Sequence, residues 1–167
     1  GGYSIDNSLR FNDDDSAYLS RTPSVAGNRK TWTFSAWVKR GDTITIYNLL
    51  GAVSGSECIL TFGDYIKMYE YSGGYLWQLQ TSALFRDHSA WYHIVVVADT
   101  TQGTSSDRIK FYINGEQVTA FSSTGYPALD AQMSINTTTE NRIMGNLSGW
   151  GHFDGYLAEV NFVDGQA

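Results

Sequence analysis

Along most of the chain apolar and polar residues alternate with a period of two, and no helical period is sustained over three turns. In residues 31–39, Trp32, Phe34, Ala36 and Val38 face one way, and Thr33, Ser35, Trp37 and Lys39 the other. Ile109, Phe111 and Ile113 alternate with Lys110, Tyr112 and Asn114. Tyr156, Ala158, Val160 and Phe162 alternate with Leu157, Glu159 and Asn161. Successive side chains of a strand point to opposite faces, so each run predicts a strand with one face on a core. Residues 94–98 are apolar at every position and predict a central strand covered on both faces. Further short strands are predicted at 8–11, 18–20, 44–53, 58–62, 66–71, 75–80, 118–121 and 142–144.

Turn chemistry separates these runs. Asn114-Gly115 predicts a two-residue hairpin, because both central residues of a type I′ turn need positive φ. Gly63-Asp64-Tyr65 and Ser72-Gly73-Gly74 read as further hairpin tips, residues 100–107 as a longer loop, and 82–87 as a short helix. Many short strands without crossover helices predict an all-β fold, an antiparallel two-sheet β-sandwich. One domain fills residues 1–167, with a core from about 8 to 163.

Composition agrees with the pattern. Eleven Tyr, eight Phe and five Trp favour strands, and 17 Gly against two Pro supply turns. The net charge of −6 disfavours phosphate backbones and anionic lipid, so neither nucleic acid nor membrane surfaces are expected as partners. No apolar run reaches the ~20 residues that span a bilayer, so no membrane insertion is expected. The first residues show no signal-peptide pattern. The chain also starts without Met, so a piece of a longer protein is expected. Cys58, the single cysteine, lies in the apolar run CILTF and reads as a buried, inert thiol.

Four segments, FSAWVKR (34–40), WYHIVVVAD (91–99), IKFYINGEQV (109–118) and FDGYLAEVNF (153–162), occur in order at sensible spacing. Together they resemble the laminin-G-like, concanavalin-A-like jelly-roll lectin domain over nearly the whole chain. Longer stretches, among them SLRFNDDDSAYLS, RDHSAWYHIVVVADTT and YLAEVNFVDGQA, resemble modules of structural proteins from tailed, mainly marine, phages. The resemblance implies two sheets of six or seven strands, with ligands on a concave face or its rim loops. It implies a virion location, on tail or capsid, with other virion proteins as partners. The alternative is an extracellular location. It transfers no ligand, because this fold hosts lectins, hydrolases and assembly modules alike.

Catalytic machinery is not visible. The hydrolases of this superfamily carry Glu-x-Asp-x-(x)-Glu on one strand face, and none of Glu57, Glu70, Glu116, Glu140 or Glu159 has an Asp two positions on. There is no G-x-S-x-G elbow. His88, His93 and His152 stand outside any motif, and zinc spacing is missing. The expectation is a module without enzymatic activity.

Binding candidates remain. Sugars are held by an aromatic side chain against their C–H face and planar polar groups on their hydroxyls. Trp150, between Gly149 and Gly151 and followed by His152 and Asp154, is either exposed for a ligand or packed onto the sandwich edge. Tyr69 and Tyr71 share one face of their strand, and Tyr75 and Trp77 share one face of the next. Either pair forms a ligand platform or a cross-strand packing pair. Calcium is possible, through Asp13, Asp14 and Asp15 or through Asp99 with Asp107, although acidic turns are usually only solvated. The triplets starting at Asn136 and Asn146 match the glycosylation pattern, which also arises by chance.

Three functions fit these observations. The first is an adhesion module for a carbohydrate or other cell-surface ligand. The second is a structural virion module with no small ligand, in which Trp150, Tyr75 and Trp77 are buried. The third is a calcium-dependent extracellular laminin-G-type binder of protein or glycan.

Overall fold

Strict alternation over ten residues builds the strand that organises the molecule. In the computed structural model, which describes residues 6–41, 46–145 and 152–167, that strand is β3 (Thr31–Arg40). Trp32, Phe34, Ala36 and Val38 are completely buried along it. Burying a side chain the size of Phe34 contributes about 1.5–3 kcal/mol over leaving it exposed.

The described strands in chain order are β1 (Leu9–Phe11), β2 (Leu19–Arg21), β3, β4 (Ile46–Ser54), β5 (Ser56–Gly63), β6 (Ile66–Tyr71) and β7 (Tyr75–Thr81). They continue with β8 (Tyr92–Asp99), β9 (Ile109–Ile113), β10 (Glu116–Gln117), β11 (Phe121–Gly125), β12 (Asn141–Ile143) and β13 (Gly155–Asp164). All pairings are antiparallel and fall into two sheets. A six-stranded sheet has the order β1-β13-β3-β8-β9-β10, and a seven-stranded sheet the order β11-β7-β6-β5-β4-β12-β2. The core fills the space between them. Trp32, Phe34, Ile94, Val96, Ile109 and Phe111 come from one sheet, and Leu49, Leu60, Phe62, Met68 and Leu79 from the other.

The expected strands are present, with ends shifted by one or two residues at most positions. The expected strand at 118–121 is instead divided: β10 ends at Gln117 and β11 begins at Phe121, so the chain leaves one sheet and enters the other between them. Residues 82–87 do not form the expected helix. Phe85 N–H donates to the Asp64 carbonyl at 2.7 Å and the Phe85 carbonyl accepts from Arg40, which pins the segment as an irregular loop. The hairpin at Asn114-Gly115 has positive φ at both residues, 52° and 86°, as type I′ geometry requires. β8 is central in its sheet, but its outer face is not fully covered: Ile94, Val96 and Ala98 are buried, whereas Val95 and Val97 are half-buried.

Candidate ligand-binding face

Position within the seven-stranded sheet decides which aromatic side chains meet solvent. Cys58, Leu60, Phe62, Ile66 and Met68 enter the core, so Lys67, Tyr69 and Tyr71 fall on the outer face of β6. Across the hairpin, Glu70 pairs with Trp77 but Tyr71 pairs with Tyr75, which leaves Leu76 as an extra residue. A bulge of this kind moves the residues on either side of it onto opposite faces. Tyr75 therefore joins Tyr69 and Tyr71 outside, while Trp77, 5% exposed, packs into the core. This corrects the expectation that Tyr75 and Trp77 share a face.

The three tyrosines form one cluster. Tyr75 meets Tyr69 and Tyr71 edge-on, each at 5.4 Å between ring centroids, with interplanar angles of 88° and 75°. Lys67 Nζ donates to Tyr75 Oη at 2.9 Å, and lies 4.2 Å from the Tyr75 centroid and 5.1 Å from that of Tyr69. Tyr69 is 7% exposed and supports the cluster, whereas Tyr71 (39%) and Tyr75 (52%) offer their rings to solvent beside Leu76 (63%).

Gln78 and Gln80 complete this face. They alternate with the core residues Trp77 and Leu79, lie opposite Tyr69 and Lys67, and are half-buried. Among the described residues neither amide side chain has a hydrogen-bond partner. Two unpaired planar amides beside exposed aromatic rings are the groups that hold hydroxyls and C–H faces of a sugar. Strict alternation from Trp77 onward marks Gln78 and Gln80 in the sequence, but the bulge hides that Tyr75 belongs with them.

Glu70, on the core side of β6, is a buried carboxylate with its lone pairs in use. Its Oε1 accepts from Ser56 Oγ (2.6 Å), Ser134 Oγ (2.8 Å) and Ser134 N–H (3.1 Å), and its Oε2 from Trp77 Nε1 (3.2 Å). It ties β5, β6 and β7 to the segment around Ser134. Cys58 beside it is buried, and desolvation, with the Glu70 charge second, pushes its thiol well above the ordinary range. That thiol is held in its protonated, unreactive form.

The other sequence candidates lie elsewhere. Trp150, with Gly149 and Gly151, falls outside the described residues. Asp154 is at the opposite end of the strands from the Tyr71–Tyr75 hairpin. It accepts from Arg10 at 2.8 Å, and its carbonyl accepts from Gly41 N–H at 2.8 Å. His152 is half-buried there, and its buried Nδ1 has no hydrogen-bond partner among the described residues. Trp37 is half-buried on the outer face of the six-stranded sheet, where it stacks on His93 at 4.9 Å. Partial burial of His93 disfavours its charged form and lowers its pKa. Asn136 Nδ2 donates to Asp164 Oδ1 (2.7 Å) and to the Asn28 carbonyl (3.1 Å), a role that leaves the amide engaged.

Most of the acidic candidates are engaged locally. Asp13, Asp14 and Asp15 form a turn closed by Ser16 N–H on the Asp13 carbonyl, and Asp15 Oδ2 accepts from Asn12. Asp99 accepts from Thr101 Oγ1 and Gln102 Nε2, both at 2.6 Å, and Asp107 pairs with Lys110 at 3.1 Å. The Thr101 hydroxyl, followed by Gln102, holds the Asp99 carboxyl below its ordinary range. Among the described residues no group of three or more His, Cys, Asp or Glu is gathered around a point that a metal ion could fill.

The sequence profile of the "Concanavalin A-like lectin/glucanases superfamily" matches residues 11–166. The chain belongs to that superfamily. No curated protein matches it in sequence. The superfamily fold recurs among solved structures of low identity. Domains LG4-5 of the mouse laminin alpha1 chain superpose with a TM-score of 0.65 at 10% identity, covering 96% of this chain and 42% of that one. The CBM40 of the Ruminococcus gnavus IT-sialidase, bound to alpha2,3 sialyllactose, gives 0.59 at 13% identity, with 96% and 92% coverage. Domain 4 of an extracellular arabinanase from Geobacillus stearothermophilus, in complex with arabinotriose, gives 0.61 at 20% identity, with 85% and 63% coverage. This chain thus spans under half of the laminin structure and most of the CBM40. At these identities the likeness establishes the lectin-like jelly roll, and the site must be argued from its own residues.

Proposed function

We propose that this chain is a non-catalytic glycan-binding module whose ligand lies across the outer face of β6 and β7. One observation carries the reading: Tyr71 and Tyr75 are exposed on a cluster braced by Tyr69 and Lys67, next to the free amides of Gln78 and Gln80. In this arrangement the tyrosine rings take the C–H face of a sugar and the amides take its hydroxyls. Solved neighbours that hold arabinotriose and sialyllactose support a carbohydrate as the ligand class. The site needs no metal, since its polar groups are amides, phenols and an ammonium. Catalysis is not part of the reading, because Glu70 nearby is consumed by structural hydrogen bonds.

The reading extends to context. The sequence resemblance to tailed-phage structural proteins supports a place on a virion tail or capsid, contacting a host-surface glycan, with other virion proteins around it. An extracellular module remains the alternative setting. Multivalent display is the relevant state, because repeated copies raise avidity over weak single sites.

A glycan array probed with the domain clustered on a multivalent scaffold tests the function. The wild type is expected to give glycan-selective signal, and Tyr75→Ala to lose it while remaining folded. An array blank for the folded wild type at high valency contradicts the reading.

A further inference from the structure

We infer that Lys67 is a positioning residue that fixes Tyr75 in the orientation its ligand meets. The inference rests on the glycan-binding reading above and adds to it a residue that need not touch the ligand.

Among the described residues Lys67 forms no ion pair with a carboxylate. Its ammonium is instead taken up by aromatic groups, donating to Tyr75 Oη at 2.9 Å and lying 4.2 Å and 5.1 Å from the Tyr75 and Tyr69 centroids. A cation that sits on a ring face and also bonds the ring's hydroxyl restrains that ring at two points. Tyr75 needs such a restraint. It is more than half exposed, at a bulge next to the Ser72–Gly74 turn, and its ring contacts are edge-on rather than enclosing. An exposed side chain ordered only on binding loses its rotamer freedom at that moment, and one ordered beforehand does not. Lys67 lies half-buried on the same outer face and is the group that orders Tyr75 in the free protein. Tyr69, nearly buried, is the floor on which both rest.

Two readouts test this on the full chain carrying isotope-labelled tyrosine rings. Lys67→Met keeps the stem and removes the ammonium, Lys67→Arg keeps a cation, and Tyr75→Phe removes the bonded hydroxyl. The first readout is the line shape and shift of the Tyr75 ring resonances without ligand. The second is apparent affinity for arabinotriose and for alpha2,3 sialyllactose, each immobilised at high density. In Lys67→Met the Tyr75 ring is expected to become mobile and affinity for the bound probe to fall about three- to tenfold. Lys67→Arg is expected to restore most of both, Tyr75→Phe to loosen the ring in part, and the thermal midpoints to stay close to wild type. An unchanged Tyr75 ring in Lys67→Met overturns the inference. So does equal affinity despite a loosened ring. A wild type that retains neither probe counts against the glycan reading for these two sugars, and the ring resonances still decide whether Lys67 holds Tyr75.

Discussion

At Tyr71 and Tyr75 the partner strands β6 and β7 change register, and Leu76 is the residue left over. That single extra position turns Tyr75 to solvent and Trp77 to the core, so the two aromatics have separate roles. Tyr75→Ala is expected to weaken glycan binding roughly tenfold or more, about 1.4 kcal/mol, with little loss of stability, as calorimetric titration and thermal melting will read. Glu70→Ala should do the reverse. It strips the acceptor from Trp77 Nε1 and Ser134 N–H inside the sandwich, and should lower the unfolding free energy in urea by about 3 kcal/mol. At this scale the sequence shows the aromatics but not their orientation. Period-two counting works for Tyr69 and Tyr71, which lie on one uninterrupted strand, and fails between Tyr75 and Trp77, because nothing in YLWQ marks Leu76 as unpaired. Lys67 was equally hidden, since its hold on Tyr75 crosses a hairpin.

Among the elements, long alternating runs were readable because their pattern repeats enough to outvote any one residue: β3 and β9 follow it throughout. Short, tertiary-determined pieces were not. Residues 82–87 carry no strong propensity against a helix, and tertiary contacts, among them those of Phe85 with Asp64 and Arg40 and of Ser82 with Ala120, hold them as a loop. β13 depends on Gly155, which has φ of +150° and no room for a Cβ: one placed there would collide with the Lys39 carbonyl and lie 2.6 Å from Phe153 Cζ. Gly155→Ala should lower stability by about 3 kcal/mol in chemical denaturation. At the end of β8, the Asp99 carboxyl has a folded pKa below its unfolded value. Its stabilising effect is therefore complete above the unfolded pKa of about 4 and is lost as pH falls through the folded pKa. Asp99→Asn should flatten the urea-midpoint profile below about pH 4, and a profile unchanged by the substitution would contradict the assignment.

For the molecule as a whole, two sheets of six and seven strands enclose one apolar core, and the tyrosine-glutamine face lies outside it on the larger sheet. The two-sheet sandwich was legible from alternation and turn chemistry, and the jelly-roll topology was implied by the family resemblance of the ordered motifs. The ligand-binding face depends on register and was not. Because the proposed face is built from phenols, amides and one ammonium, excess EDTA should leave both glycan binding and the melting temperature unchanged. A loss of binding restored by calcium would assign the site to acidic loops instead. The most direct test of the account is a calorimetric titration of the glycan selected on the array, comparing wild type with Tyr75→Ala and with Gln78→Ala. The account predicts saturable binding by the wild type and a marked loss in both variants with melting temperatures retained. Undiminished affinity in both variants would place the ligand elsewhere on the molecule and contradict the account.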